Sequence, residues 1–378
     1  MKNILAIVAS LSFITTSSLA VLSCTPNPDE INFNFDKNIG KNFDTRNAKD
    51  TSDDKSKHMG FSNFFTLGDS LSDQGGLVMI AKDELKVDVK LSGMYNGGFS
   101  NGPTTVTLIN RKLNFTDKEF SSSNLVHAED IDRENKKVWG KNYSIGGATA
   151  YDQGGLGALL MGNTGIYKQS QALVQQQIIH ENDLFVVEIG GNDMFAIIDN
   201  VKDVNKRFDI MQDALKNIKN SLYTLLNNGA KKIVFLTPPD MTLIPKYKNK
   251  SKSDKDIIKM LGNDFDCEIT KIINKANKVY GDSILHFDLY GRFKEILNEF
   301  KKENSNNNVI DELCDSSMPD LSSGIDPKNL EVKAIIKKGN EGKEDNYFFL
   351  DFVHPTKVGH ELAMKFIFKD IEDKWINK

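Results

Sequence analysis

Three side chains of the types needed for nucleophilic attack on an ester stand in short polar stretches of this chain. Ser70 follows the apolar run at residues 61–67, within a Gly-Asp-Ser sequence, and Asp351 and His354 lie three positions apart. A serine hydroxyl is a poor nucleophile until a base takes its proton, and histidine titrates near neutrality. A carboxylate fixes the tautomer of that histidine. The pattern predicts Ser70 as the nucleophile, His354 as the proton shuttle and Asp351 as the group that orients it.

Attack on a carbonyl also requires hydrogen-bond donors for the oxygen that becomes negatively charged. The backbone N–H groups of Ser70 and Gly147 and the side-chain amide of Asn192 are the candidates, with Gly146 as the near alternative to Gly147. Each of these residues follows a run that is typical of a strand. We therefore expect an oxyanion hole built from Ser70, Gly147 and Asn192.

Each motif also has a structural interpretation when it is taken alone. A tight glycine turn with an Asp or Ser helix cap has the same Gly-Asp-Ser pattern. Asn192 and Asp193 fit a turn, Asp351 fits a helix cap, and His354 before a proline fits an ordinary loop. The functional interpretation is favoured because the motifs occur together in one chain, and each of them follows a predicted strand or lies in a late loop.

Strands that alternate with helices position these motifs. Apolar, β-prone runs predict strands, and apolar residues at three- and four-residue steps predict helices. The strands are expected at residues 61–67, 138–145, 184–189, 233–236 and 283–289, and the helices at 78–86, 104–113, 169–180, 204–225, 257–276, 292–300 and 357–371. This order indicates a parallel sheet between two helical layers, whose carboxyl edge is where ligands bind.

The remaining stretches are expected to be loops or insertions. Residues 152–165 are rich in glycine, residues 114–137 are polar and charged, and residues 301–345 are polar and longer than an ordinary connection. We expect the last of these stretches to be irregular. The two insertions leave the shape of the substrate pocket open.

The ordered motifs resemble the GDSL family of the SGNH hydrolases. The similarity covers about residues 61–365 and is carried by four blocks, which read GDSL at 68–71, NYSIGGA at 142–148, GGND at 190–193 and DFVHPT at 351–356. The resemblance implies the same roles for Ser70, Gly147, Asn192, Asp351 and His354. It also implies a flavodoxin-like α/β/α fold with five parallel strands, without a metal or other cofactor. Phe99 departs from the related lipases and esterases, which more often have Arg there.

The N-terminus has the composition of an export signal. Lys2 precedes an apolar segment at residues 4–22, and Cys24 follows a small residue, which resembles a bacterial lipoprotein signal. The resemblance implies cleavage before Cys24, lipidation of its thiol, and a location at the extracytoplasmic face of the membrane. An ordinary signal peptide or an uncleaved anchor are the alternatives. The expected division is a signal peptide at residues 1–23, the lipidated cysteine and a flexible tether at 24–60, and one hydrolase domain at 61–378.

Charge and cysteine content exclude some other classes of protein. The 378 residues carry a formal net charge of -4, so no overall basic field attracts nucleic acid. Cys267 and Cys314 are the cysteines of the predicted mature domain; an exported protein allows them to pair, but two free thiols are expected. No cysteine spacing typical of zinc is present.

Together these features predict a membrane-tethered serine hydrolase of carboxylic esters. The expected substrates are esters or lipids, including phospholipids and lysophospholipids, because a lipid anchor holds the enzyme near them. Acetylated carbohydrates are the alternative substrate class. A surface-binding lipoprotein that keeps a hydrolase scaffold without turnover is the competing function.

Overall fold

The computed structural model describes residues 35–83, 86–122, 140–153, 164–317 and 330–377. The predicted signal peptide at residues 1–23 and Cys24 lie outside the described residues, as do most of the glycine-rich stretch and of the 114–137 insertion. The described residues belong to one compact unit.

The central sheet consists of parallel strands in the order β1-β3-β4-β5. These strands are β1 (Phe64–Gly68), β3 (Leu184–Glu188), β4 (Lys232–Leu236) and β5 (Ile284–Phe287), and a separate strand β2 (Val89–Ser92) lies between the first two in sequence. All five residues of β1 and of β3 are buried. Strands buried on both faces need a helical layer on each side, as an α/β/α arrangement provides.

The prediction of five regular strands was wrong, because four are formed in this sheet by the described residues. The expected strand at 138–145 is represented by residues 141–145, which run beside β1 and form one parallel bridge, Thr66 to Asn142. Thr66 N–H donates to the Lys141 carbonyl, and Tyr143 N–H donates to the Thr66 carbonyl. The segment keeps the position of an edge strand, but the Gly-Gly turn at 146–147 ends it after a few residues.

Eight helices connect and cover the strands among the described residues. They are α1 (Gly76–Asp83), α2 (Thr105–Lys112), α3 (Ile166–Gln176), α4 (Gly191–Asp199), α5 (Val204–Asn227), α6 (Lys252–Tyr280), α7 (Leu289–Glu303) and α8 (Lys357–Ile371). Helix α5 packs against α3, α4 and α6, whereas α8 packs against α2 and α7. The predicted helices are present, with ends that differ by a few residues.

The stretch at 301–345 is more regular than predicted. It contributes β6 (Asn308–Glu312), β7 (Cys314–Ser317) and β8 (Leu330–Ile336), and β9 (Tyr347–Phe349) follows. Strand β8 pairs with β2 and β7, and β6 pairs with β9. Strands β6 and β8 pair with segments that are distant in sequence or separated from them by loops. Local composition therefore did not predict these two strands. Residues 318–329 of this stretch lie outside the described residues.

The predicted flexible tether does not extend through residues 35–60. The Phe35 ring lies 5.4 Å from that of Tyr280, and Thr51 Oγ1 donates to Gln177 Oε1 at 2.8 Å. The His58 ring stacks on Phe115 at 3.9 Å. These contacts are made with residues far along the chain, and they order a segment whose own composition is polar.

No helix among the described residues is both long enough and apolar enough to span a bilayer. Cys267 and Cys314 do not form a disulfide with each other. Cys314 lies with Leu313 and Leu350 in a small apolar cluster beside the loop that carries Asp351.

Candidate active site

Ser70, His354 and Asp351 form a continuous chain of hydrogen bonds. His354 Nε2 lies 2.8 Å from Ser70 Oγ, and His354 Nδ1 lies 2.8 Å from Asp351 Oδ2. Ser70 stands directly after β1, and the other two residues lie between β9 and α8. With Nδ1–H donating to the carboxylate, Nε2 is the acceptor for the serine proton. The three residues that the sequence predicted as catalytic are therefore brought together.

The loop that carries His354 is fixed by its own backbone. Asp351 Oδ1 accepts the N–H groups of Val353 and His354 at 2.9 and 2.8 Å, and Leu350 N–H donates to the His354 carbonyl at 2.7 Å. The hydroxyl of Thr356 then caps α8 by accepting the Gly359 N–H. The acid and the base are thus held in one short, rigid loop.

The charges of the pair stabilise each other. Burial opposes protonation of His354, but attraction to Asp351, the hydrogen bond between the two and the nearby Asp69 raise the pKa of the imidazole above its usual value. Burial alone would raise the pKa of Asp351, but His354 and the hydrogen bonds to its carboxylate hold that pKa below its usual value. The site therefore favours the ion pair that forms when the imidazole takes a proton.

The two neighbouring glycines differ in the availability of their N–H groups. Gly146 N–H donates to Asp73 Oδ2 at 2.6 Å. Gly147 is exposed and has a φ of 81°, and its N–H has no acceptor among the residues that the structure describes. The Ser70 N–H likewise has none within the described ranges. This geometry favours Gly147 over Gly146 as a donor to a ligand.

Asn192 lies in the first turn of α4, beside the same loop. Its Nδ2 donates to the Ala148 carbonyl at 2.9 Å and lies 3.4 Å from Asp69 Oδ2, which is long for a hydrogen bond. The amide hydrogen that faces Asp69 is therefore the more weakly bonded of the two. Ser70, Gly147 and Asn192 all line one cavity.

Two buried aspartates hold the glycine loop from both sides. Asp73 accepts the N–H groups of Gly75, Gly76, Leu77 and Gly146. Asp193 accepts those of Ala150 and Tyr151 at distances between 2.8 and 3.0 Å.

Burial raises the pKa of Asp73 to about 6 and that of Asp193 to about 7, although the backbone donors oppose the shift. Asp73 and Asp193 therefore order the loop.

Two further buried carboxyl groups, those of Asp69 and Glu188, lie close to Ser70. Asp69 and Glu188 are both buried and share a hydrogen bond. Burial raises the pKa of Asp69 to about 6, whereas burial and the charge of Asp69 raise the pKa of Glu188 well above its usual value. Because the charge of Asp69 adds to burial in raising the pKa of Glu188, the pair favours the proton on Glu188 and the charge on Asp69, which attracts His354.

The cavity beside Ser70 is mainly apolar. Its volume is about 520 Å³. Apolar side chains from several helices, strands and loops line it, among them Ile109, Met241, Phe293, Phe349 and Ile367. Its walls match an aliphatic chain, which gains free energy when it leaves water.

Some residues of the site were not identified from the sequence as functional. Phe99 was noted only as a departure from related enzymes, and its ring stacks on that of His354 at 5.2 Å. The sequence does contain a signal that could have identified Glu188, because it is a charged residue within an otherwise apolar strand. No group of three or more potential metal ligands occurs within the described ranges.

The fold and the site define an α/β protein with a Ser-His-Asp arrangement at the carboxyl edge of a parallel sheet. A family profile described as GDSL-like lipase/acylhydrolase matches residues 64–367. This match covers most of the chain, and the protein belongs to that family.

Two named relatives are similar to part of this chain. Lipase 1 of Photorhabdus luminescens is 25% identical over 241 residues, which are 62% of this chain and 30% of that protein. The thermolabile hemolysin of Vibrio parahaemolyticus is 25% identical over 224 residues, which are 58% of this chain and 48% of that protein. The similarity thus spans less than half of the length of either relative.

Solved structures with a similar fold include the acetylxylan esterase Axe2 of Geobacillus stearothermophilus. It has a TM-score of 0.40 and 12% sequence identity, and the match covers 84% of this chain and 98% of that one.

Proposed function

We propose that this protein is a serine hydrolase of carboxylic esters that works through an acyl-enzyme. The observation that carries the proposal is the chain of two 2.8 Å contacts from Ser70 through His354 to Asp351. Family membership supports the same reaction class.

In the proposed reaction, Ser70 Oγ attacks the ester carbonyl carbon while its proton moves to His354 Nε2. The carbonyl oxygen becomes negative and accepts hydrogen bonds from the N–H groups of Ser70 and Gly147 and from Asn192 Nδ2. The intermediate then expels the alcohol, which takes the proton from His354. Water then attacks the acyl carbon and gives a proton to His354, and the acid is released as the bond to Ser70 Oγ breaks and His354 returns that proton to Ser70 Oγ.

The character of the cavity supports esters with an aliphatic acyl chain. An acetyl group would leave most of the roughly 520 Å³ of apolar space unfilled, whereas each buried methylene contributes about 0.8 kcal/mol. Acetylated carbohydrates are therefore the less favoured substrates. A membrane anchor at Cys24 is part of the proposal and is supported by the sequence pattern alone.

Replacement of the nucleophile tests the reaction. Ser70→Ala should fold normally but lose hydrolysis of medium-chain nitrophenyl esters by at least about 1000-fold, and it should no longer react with a fluorophosphonate probe. The exposed Ser305, which lies outside the cavity lining, gives a control in Ser305→Ala, which should keep full activity. A fully active Ser70→Ala protein would refute the mechanism. An inert, well-folded wild type that fails to react with the probe would instead support a binding protein.

A further inference from the structure

Lys246 stands between helix α4 and the loop that carries His354. It belongs to a short 3-10 turn, Pro245–Tyr247, and its N–H donates to the Phe352 carbonyl at 2.9 Å. Phe352 is two residues before His354. The backbone bond thus fixes the turn against the loop that carries the candidate base.

The Lys246 side chain is directed to the mouth of the cavity by two aromatic rings. Its Nζ lies 4.3 Å from the ring centroid of Phe195 and 5.5 Å from that of Phe352. Phe195 lies one turn after Asn192 on α4. Aromatic faces attract an ammonium group, and both rings line the cavity. The cation is therefore placed near both the oxyanion donor and the base.

The charge of Lys246 is available to a ligand. Among the described residues that line the cavity, Lys246 is the charged residue exposed to solvent, since Asp69 and Glu188 are buried. Within the part of the chain that the structure describes, no carboxylate forms an ion pair with its ammonium. Many other lysines of the protein are paired with carboxylates, as Lys248 is with Asp311 and Glu312.

We propose that Lys246 selects ester substrates whose alcohol part carries a phosphate, such as a glycerophospholipid with one or two acyl chains. The inference rests on the proposed function. When the acyl chain fills the apolar interior and the ester carbonyl lies at Ser70, the alcohol part extends toward the solvent-exposed mouth. A lysine ammonium binds phosphate as a compact point charge, and there it meets the headgroup rather than the acyl chain.

The test compares soluble substrates that share one short acyl chain and differ in the headgroup. Monoacylglycerol is neutral, whereas lysophosphatidylglycerol and lysophosphatidylcholine carry a phosphate; all are used below their micelle-forming concentrations. Lys246→Glu should raise KM for the two phosphate-bearing substrates about tenfold and leave kcat and KM for monoacylglycerol within twofold. Lys246→Met should have a smaller effect of the same sign, because it removes the charge without reversing it.

The exposed Lys250 provides the matched control, because it lies near the same turn but outside the cavity lining. Lys250→Glu makes the same charge change and should leave the headgroup preference intact. Equal losses on neutral and phosphate-bearing substrates, or equal effects of the two variants, would overturn the inference. So would a preference that occurs only with anionic vesicles, which would assign Lys246 to the membrane surface. If the wild type hydrolysed none of the three esters, the proposed function itself would fail.

Discussion

At the residue scale, the site contains more carboxyl groups than a Ser-His-Asp arrangement requires. Asp351 contacts the imidazole directly, whereas Asp69 lies beneath the nucleophile and is paired with Glu188. An unpaired buried carboxylate would be costly. The proton on Glu188 allows Asp69 to remain charged, and that charge helps to raise the pKa of His354.

The first prediction concerns Glu188, whose protonated carboxyl donates to Asp69. Glu188→Gln keeps a donor and should retain activity within about threefold. Glu188→Ala removes it and should reduce the free energy of unfolding by about 1–3 kcal/mol, the cost of an unsatisfied buried group. In Glu188→Ala, Asp69 loses its donor and should carry less negative charge, so the pKa of His354 should fall. The acid limb of the pH profile of kcat/KM should then move to lower pH.

The pH dependence of stability gives an independent check on Glu188. Its pKa is raised in the folded state, so its contribution to stability is present at acidic pH and is lost as the pH rises through the folded pKa. Glu188→Gln should therefore gain stability relative to the wild type as the pH rises above about 4.5, the usual pKa of a glutamate, as measured by urea unfolding. The exposed Glu361 supplies the control variant Glu361→Gln, for which the difference should be flat. An equally flat difference for Glu188→Gln would contradict the assignment of the proton.

The proposed reacting residues could be selected from the sequence more readily than the groups that support them. Ser70, Asn192 and His354 stand in motifs of fixed local spacing, so their types and order were sufficient to propose them. The choice between Gly146 and Gly147 depended on which N–H is already bonded to Asp73. The contact of Lys246 with Phe195 joins a 3-10 turn to helix α4, and no local pattern encodes it.

At the element scale, the loop with Gly147 is held between β1 and α4. Asp73 follows β1 and Asp193 lies in the first turn of α4, and each accepts N–H groups of the loop. The N–H of Gly147, the proposed oxyanion donor, therefore has a fixed position relative to Ser70 and Asn192. Preorganised donors of this kind stabilise a developing oxyanion because they need no rearrangement.

The prediction at this scale is that Asp193→Asn lowers kcat about tenfold with little change in KM. Asp193 Oδ1 accepts the N–H groups of both Ala150 and Tyr151, and Oδ2 also lies 3.0 Å from Ala150 N. An amide nitrogen in place of Oδ2 would set two hydrogen-bond donors against each other. The looser loop should cost less than the 100- to 1000-fold loss typical of removing an oxyanion donor. The exposed Asp209 on α5 gives the control Asp209→Asn, which should leave both kinetic constants unchanged. A parallel rise in KM for Asp193→Asn would indicate damage to the cavity instead.

Most of the elements themselves could be predicted from the sequence. Helix α8 begins and ends where its periodicity placed it, and the buried run of β3 was clear from its β-branched residues. The edge segment at 141–145 is too short for a regular strand because a glycine turn follows. Strands β6 and β8 were missed, since their stability comes from pairing with distant partners rather than from local hydrophobic alternation.

At the scale of the whole molecule, the segment at residues 35–60 is part of the folded body. Asn227 and Asn228 on and beside α5 donate to backbone carbonyls of this segment. His58 is buried, and its Nδ1 lies 3.1 Å from the Leu113 carbonyl. A polar composition thus gave a misleading expectation, because the ordering contacts come from the rest of the protein.

A truncation tests the contribution of this segment. A chain that begins at residue 61 should unfold about 5 °C below one that begins at residue 35, since it loses the stacked His58 and the contacts of Phe35 and Thr51. A loss of a few kcal/mol gives a shift of that size in a large domain. Thermal unfolding followed by circular dichroism measures it. Identical midpoints would show that the segment adds nothing to stability.

The compact loop from Leu350 to His354 also determines where the catalytic assembly is vulnerable. Two of the three candidate residues are carried by a single tight turn, whereas the third comes from 284 positions away in sequence. Displacement of the C-terminal part of the chain would move Asp351 and His354 together, away from Ser70. The contact that is most easily broken is thus the one between His354 Nε2 and Ser70 Oγ, because it joins parts of the chain that are far apart in sequence.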